Sequence, residues 1–315
     1  MNSIIEQARH VLKGKIRKTP IEFSPKLSNL FGQPIYLKLE NLQITGSFKV
    51  RGGFFYLSTL DEKKKEKGVA ACSAGNHGLG IAYACKQLGV PAIVFVPKNV
   101  DQAKYNKLLE LGAEVKKSEF VGYDETLEWA ANEAKKLDMT LISAFDDEKI
   151  MAANGGTLAS EVLEQMPEAK HFILPMGGGG LSSGFAWHIK EKSPHAKITI
   201  CQLFESPALK LSLSQGKPIT YLPPIDTLAG GLEGGLGAKC YDILKTRVDE
   251  IALIKENELK EALLWLLKNH QYLIEPSAAV SLASCLFGHI KPKEPTVLVL
   301  TGRNVSFSTL QKLIS

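Results

Sequence analysis

The chain is predicted to fold as an α/β protein with two doubly wound sheet domains, and three observations carry that expectation. From Val69 onward, short apolar runs alternate with helical patterns of roughly 10–15 residues, the mark of parallel strands joined by crossover helices. Several of those strands run straight into glycine-rich or polar loops that open the next helix, as at the ligand-binding edge of an open sheet. The length of 315 residues suits two domains of ~150 residues each.

Each element can be justified in turn. Residues 1–15 read as an amphipathic helix opened by a capping box, Ser3 to Glu6, rather than as a signal peptide. Thr19-Pro20 breaks that pattern, and a connecting segment leads to a β-rich run, Ile35–Leu39. A polar loop follows, and Ser47 is a good N-cap for a helix running to Thr59, which places Lys49 in its first turn. The charge run at 61–68 reads as an exposed helix end and a domain boundary. Strand Val69–Cys72 then meets the loop Ser73-Ala74-Gly75-Asn76-His77-Gly78. Helix 79–88, strand Ala92–Val96, helix 102–111, strand 113–116, helix 124–137 and strand 140–143 complete the first half. In the second half a helix near 154–163 leads to strand 171–176, the loop Gly177–Gly180, helix 181–189 and strand 197–204. A glycine-rich stretch at 228–237 reads as a long functional loop. Helices at 256–270 and 277–287 precede strand Thr296–Leu300, which ends in Thr301-Gly302-Arg303-Asn304. No repeat or low-complexity tract interrupts the scheme.

Composition narrows the function classes. With 44% hydrophobic and 23% charged residues, the chain is an ordinary globular protein. A net charge of +5 without a basic stripe argues against nucleic acid. The longest strongly apolar stretch, residues 262–267, is far too short to span a bilayer. Five scattered cysteines without a CxxC pair read as thiols of a reducing compartment, so a cytoplasmic location is expected. Seven histidines lack metal-ligand spacing, and no metal is expected.

Three strand-end loops and one lysine carry the chemistry. Lys49 at a helix start faces the positive end of the dipole, which disfavours an ammonium and suits a neutral amine or an imine. Gly177 to Gly180 expose backbone N–H groups beneath the N-terminus of a helix, an arrangement that binds anions. The loop is neither a dinucleotide fingerprint nor a Walker loop, so a monophosphate fits it best. The Ser73–His77 loop offers side-chain and backbone donors suited to a carboxylate, or else ordinary capping. Thr301 presents a hydroxyl past an apolar strand. An amine, a phosphate nest, a carboxylate nest and a hydroxyl together describe pyridoxal 5'-phosphate bound as a lysine imine.

Lys38-Leu39-Glu40-Asn41-Leu42-Gln43, Thr45-Gly46-Ser47-Phe48-Lys49 with Arg51-Gly52, Ser73-Ala74-Gly75-Asn76-His77-Gly78, the Gly177–Gly180 loop and Ile274-Glu275-Pro276-Ser277 resemble the threonine dehydratase/serine racemase family of fold-type-II pyridoxal-phosphate enzymes. The resemblance runs from Thr19 to Asn304 with the motifs in family order. It implies a small domain, 68–140, inserted in a large one, 1–67 with 141–315, the cofactor lying between them. Lys49 then carries the cofactor and serves as the Cα base, with Phe48 beside the ring. Asn76 meets the ring hydroxyl, and Gly177, Gly178, Gly179, Gly180 and the Leu181 N–H hold the phosphate. Thr301 contacts the ring nitrogen as a neutral partner, and Ser73, Ala74, Gly75, Asn76 and His77 bind the substrate carboxylate.

The activity implied is β-elimination of L-threonine, L-serine or a related β-hydroxyamino acid to a 2-oxo acid and ammonia. A serine racemase of the same fold is the alternative, and a non-catalytic phosphate- or nucleotide-binding module is one of another class. In the racemases a serine hydroxyl serves the second face of the carbanion, at the position of Ala74 here. A small-molecule substrate and a homodimer or higher homo-oligomer are the expected partners. Gly230 stands where the family often has an acid, Arg303 replaces a common glycine, and Ala279 replaces another; all three border the expected substrate region. Metal-dependent relatives use an acid near Phe204 and another several positions on. A gap-free match puts Phe204 and Lys210 at the two places, though a shift of one residue brings in Glu205; Lys210 is either a substitute cation or a plain surface residue.

Overall fold

The computed structural model describes residues 1–314. Its elements in chain order are α1 (Asn2–Leu12), β1 (Ile21–Phe23), α2 (Pro25–Phe31), β2 (Ile35–Leu39), α3 (Val50–Ser58), α4 (Glu62–Lys67), β3 (Val69–Cys72), α5 (Asn76–Leu88), β4 (Ala92–Val96), α6 (Gln102–Glu110), β5 (Glu114–Lys117), α7 (Tyr123–Lys136) and β6 (Thr140–Leu141). There follow α8 (Glu148–Met151), a π-turn (Ala152–Gly156), α9 (Thr157–Gln165), β7 (His171–Pro175), α10 (Gly180–Lys192), β8 (Lys197–Leu203), α11 (Ala208–Gln215), α12 (Ala238–Leu244), β9 (Glu250–Ile254), α13 (Glu256–His270), α14 (Pro276–Leu286), β10 (Thr296–Leu300) and α15 (Phe307–Ile314).

The strands form two sheets, one of order β1-β2-β10-β7-β8-β9 and one of order β5-β4-β3-β6. Among the strands of the described residues only β1 runs antiparallel to its neighbour; every other strand pairing is parallel. The chain leaves the larger sheet after β2, builds the smaller one, and returns at β7 and finally β10. β10 pairs in register with β2, from Thr296 opposite Ile35 to Leu300 opposite Leu39. That pairing sets the loop after Leu39 beside the loop after Leu300, so residues far apart in sequence share one sheet edge.

β7 and β10 are buried at every position, as apolar strands covered by helices on both faces must be. Alternation sorts their side chains: Leu298 and Leu300 join the core under α13 and α14, whereas Val297 and Val299 join the core under α9 and α10. A third cluster holds Val50, Phe54, Val69 and Ile81 together. Helices α3 and α5 cross there at two glycines. A Cβ on Gly53 would stand 2.7 Å from the Gly80 carbonyl oxygen, and one on Gly80 would stand 2.9 Å from the Lys49 carbonyl carbon.

Two expected helix starts are corrected. Helix α1 begins at Asn2 with Met1 as its N-cap and no side-chain cap, so Ser3 lies inside the first turn and the capping box does not form. Helix α3 begins at Val50 rather than Ser47. Ser47 instead forms an isolated antiparallel bridge with Gly302, held by the pairing of β2 with β10. The charge run after Asp61 is a helix of its own, α4, whose first turn is capped by the Asp61 carboxylate accepting from the Lys64 N–H at 2.8 Å.

Candidate active site

Lys49 is the N-cap residue of α3, with right-handed helical backbone angles. Its Nζ donates to the Ala144 carbonyl at 2.6 Å and lies 5.3 Å from the centre of the Phe48 ring. Desolvation draws the amine down to about 8, with Cys240 and the Glu275 carboxylate pulling the other way. Burial, more than a helix dipole, is what makes this lysine an accessible neutral amine.

The Phe48 N–H donates to the Thr301 carbonyl at 3.2 Å, which ties the lysine loop to the end of β10. Thr301 is buried. Beside it the hydroxyls of Thr45 and Ser47 are buried with no hydrogen-bond partner. Orphaned buried hydroxyls are uncommon in a protein complete without ligand.

Two helices open here without side-chain caps. Helix α10 follows β7 through Gly177–Gly180, and Gly179, its N-cap, takes the left-handed φ of 98°. The loop is packed so that side chains are excluded. A Cβ on Gly177 would meet the Gly231 carbonyl oxygen at 2.0 Å, and one on Gly178 would meet the Phe145 ring at 2.5 Å. Leu181 is the second residue of α10, so its N–H is among those without an intrahelical acceptor. Helix α5 opens at Asn76 with Gly75 as N-cap and no side-chain cap. Ser73 Oγ accepts from the Gly75 N–H at 3.1 Å, which leaves its O–H available to donate. An uncapped N-terminus of this length is a ready anion site. Two of them near one half-buried amine fit a cofactor phosphate and a substrate carboxylate.

His77, in the first turn of α5, is buried and its Nε2 pairs with the Ile142 carbonyl at 3.1 Å. Burial first, then the nearby Lys49 charge, hold it down to about 3. It is therefore neutral and donates to that carbonyl. Ala74 carries only a methyl group and is half-buried against the cluster that includes Leu79 and Val94.

Asn76 lies in a network that sequence spacing does not reveal. Its Nδ2 donates to Glu275 Oε1 at 2.7 Å, and its Oδ1 accepts from Asn304 Nδ2 at 2.6 Å. Glu275 is buried; desolvation raises its pKa, opposed by bonds from Asn76 and Ser277. Gly302 is needed at this junction, because a Cβ there would stand 2.4 Å from Glu275 Oε1. Glu275 and Asn304 appeared in the sequence only as motif members, and their signal was proximity to Ser277 and Thr301. Phe145, Cys240 and the Ala144 carbonyl had no sequence signal.

The departures from the family pattern separate. Gly230 is exposed with open space around it, and Arg303 is half-buried beside the site. Ala279 is fully buried in the core under α14, which corrects the expectation that it borders substrate. Lys210 is exposed on α11, the plain surface reading. Among the described residues no group of three His, Cys, Asp or Glu side chains could hold a metal ion. Among the described residues no helix is long and apolar enough to cross a membrane.

A half-buried amine near two open helix N-termini is an arrangement that suits an anionic carbonyl cofactor. The chain belongs to the pyridoxal-phosphate dependent enzyme family, whose model matches residues 12–302, and its cofactor is pyridoxal 5'-phosphate. It is 34% identical over 314 residues to the L-threonine ammonia-lyase of Geobacter sulfurreducens, covering 99% of this chain and 77% of that protein. It is 33% identical over 319 residues to the serine racemase of Dictyostelium discoideum, covering 99% and 97%. Maize serine racemase shares its fold with a TM-score of 0.93 at 27% identity, covering 99% of this chain and 96% of that one. The fold is that of the fold-type-II pyridoxal-phosphate enzymes.

Proposed function

We propose that the protein eliminates the β-hydroxyl and amino groups of L-threonine or L-serine, giving a 2-oxo acid and ammonia. The observation that carries this reading is the Lys49 amine, drawn to about 8 and set between the uncapped starts of α5 and α10. Relatives named L-threonine ammonia-lyase in Geobacter sulfurreducens and Thermotoga maritima support it.

When bound, pyridoxal phosphate supplies an electron sink for a negative charge at Cα. The chain's own residues do the rest. Gly177–Gly180 and the Leu181 N–H would hold the phosphate at the positive end of α10. The Ser73–His77 loop receives the substrate carboxylate, with neutral His77 adding no competing charge. Phe48 walls the site beside Lys49. Thr301 would offer the cofactor ring a neutral hydroxyl rather than a carboxylate. Lys49 would take the Cα proton on one face. No acid stands at Ala74 to return it on the other, so loss of the β-hydroxyl is favoured over inversion.

The same reading divides the chain into 1–67 with 141–315 and an inserted 68–140. The two sheets support that division, and α3 bridges them by packing on α5. A cytoplasmic homo-oligomer belongs to the proposal, and sedimentation of the purified protein reads its assembly. Release of 2-oxo acid across a panel of β-hydroxyamino acids, with chiral chromatography of residual serine, tests the activity. Wild-type enzyme should form pyruvate well ahead of D-serine. Lys49→Ala should lose the visible absorbance and a factor of at least ~10²–10⁴ in rate. Comparable yields of D-serine and pyruvate would point to the racemase instead, and Ala74→Ser should raise the racemised fraction.

A further inference from the structure

Helix α3 presents Lys49, yet nothing in its own sequence caps it. Its N-cap residue is Lys49 itself, which makes no side-chain cap bond, and the Ser47 hydroxyl has no partner. The third N–H of a helix normally bonds to the N-cap side chain. Here that N–H belongs to Gly52, and it donates to Asn154 Oδ1 at 2.8 Å, from 102 residues away. Asn154 is 1% exposed and sits in the middle of the π-turn Ala152–Gly156, whose residues are all buried. Such turns are costly and concentrate at functional sites.

The π-turn also touches the phosphate-binding helix, backbone to backbone. A Cβ on Gly155 would stand 2.0 Å from the Leu181 carbonyl oxygen, and one on Gly184 would stand 1.9 Å from the Met151 carbonyl oxygen. One buried element therefore grips both helices that the chemistry needs: α10 through its backbone and α3 through the Asn154 side chain.

We propose that Asn154 is a positioning residue for Lys49: it completes the first turn of α3 from outside and so sets the lysine's backbone relative to the phosphate nest. The inference rests on Lys49 carrying the cofactor. Asn154 touches neither cofactor nor substrate, and its effect passes through the Gly52 N–H.

The test uses the holoenzymes of wild type, Asn154→Ala, Asn154→Asp, Gly52→Ala and the Asn154→Ala/Gly52→Ala double variant. Each is measured for kcat and KM with the best β-hydroxyamino acid, and for cofactor absorbance as a function of pH. Asn154→Ala should lose up to ~10²-fold in kcat, the scale of a small misplacement of a reacting group, with KM within about threefold of wild type on the same argument. The midpoint of its absorbance–pH curve should shift. Asn154→Asp keeps an acceptor in place and should restore most of the rate and the wild-type midpoint.

Gly52→Ala should behave like Asn154→Ala, because a Cβ there would stand 2.8 Å from Asn154 Oδ1 and displace it. The double variant should be no worse than either single one, since removing the amide removes the clash. Wild-type kcat and spectrum in Asn154→Ala would overturn the proposal, as would losses that multiply in the double variant or an Asn154→Asp as impaired as Asn154→Ala. Should Asn154→Ala not fold, Asn154→Ser leaves a smaller cavity and carries the same expectations. If wild type takes up cofactor at Lys49 but forms no 2-oxo acid, the activity reading fails, and the absorbance titration still decides Asn154.

Discussion

Lys49 has one donor bond to a carbonyl, one aromatic neighbour and no direct ion pair, which makes its charged form poorly supported. Its folded-state pKa of about 8 lies below the ~10.4 of an unfolded lysine. Between those values the unfolded chain binds more protons, so this residue makes stability rise with pH. In cofactor-free protein Lys49→Met should therefore raise Tm near pH 7, with the gain shrinking as pH climbs from about 8 towards ~10.4. A gain that grows with pH would contradict the burial of this amine. The lysine, the four glycines and Thr301 were legible because local spacing marks strand ends and helix starts. Glu275 and Asn304 were not legible as partners of Asn76, because those contacts join positions 199 and 228 residues apart. Sequence also misattributed the lowered lysine pKa to the helix dipole, since desolvation depends on what the rest of the chain covers.

At the level of elements, helix starts decide the chemistry. Gly179 needs its left-handed backbone and has Cys240 Cβ 2.8 Å from where a Cβ would stand. Gly89 shares the left-handed backbone, φ 67°, at the end of α5 with open space around it. Alanine at either position carries a backbone penalty of about 1 kcal/mol or more. Only Gly179→Ala should also weaken pyridoxal-phosphate binding, by ~10-fold or more if one backbone donor to a charged group is lost. Titration of apoprotein with cofactor, followed by absorbance, makes the comparison. Equal affinities in the two variants would remove the phosphate from this loop. Buried parallel strands such as β2, β4 and β10 were legible to the residue, since short runs rich in β-branched, aromatic and aliphatic residues bounded by turn residues read as strands. The edge strand β1 has three residues and little burial, so it carries no such pattern. Helix α2 does carry a start signal, Ser24-Pro25, with Ser24 Oγ accepting from the Leu27 N–H at 3.3 Å, but seven residues leave almost no period. The start of α3 was misplaced because its cap comes from another part of the chain.

Across the whole molecule, the lysine helix is anchored to the large sheet by buried charge. Lys38 on β2 is 0% exposed, and its Nζ donates to Glu161 at 2.6 Å, Gln165 at 2.8 Å and the Thr19 carbonyl at 2.7 Å. Arg51 on α3 donates to both oxygens of Glu40, at 2.9 and 2.7 Å, and reaches Glu161 at 2.8 Å. Two cations and two carboxylates balance, and Glu161 on α9 is the member that touches both cations. Burying four charges is costly, and such a set repays desolvation only while complete. Removing Glu161 leaves Lys38 without a carboxylate partner and Arg51 with one fewer. Glu161→Ala should therefore lose about 3–5 kcal/mol of unfolding free energy, read from urea denaturation of the apoprotein. Lys38→Met alone should also destabilise, since it leaves Glu161 short of a donor. Lys38→Met combined with Glu161→Leu removes a cation and a carboxylate together and fills their space with apolar atoms, so it should recover much of the loss. If the double substitution instead costs the sum of its parts, Lys38 and Glu161 act independently, and the anchoring of α3 to the sheet rests on the Arg51–Glu40 pair and apolar packing.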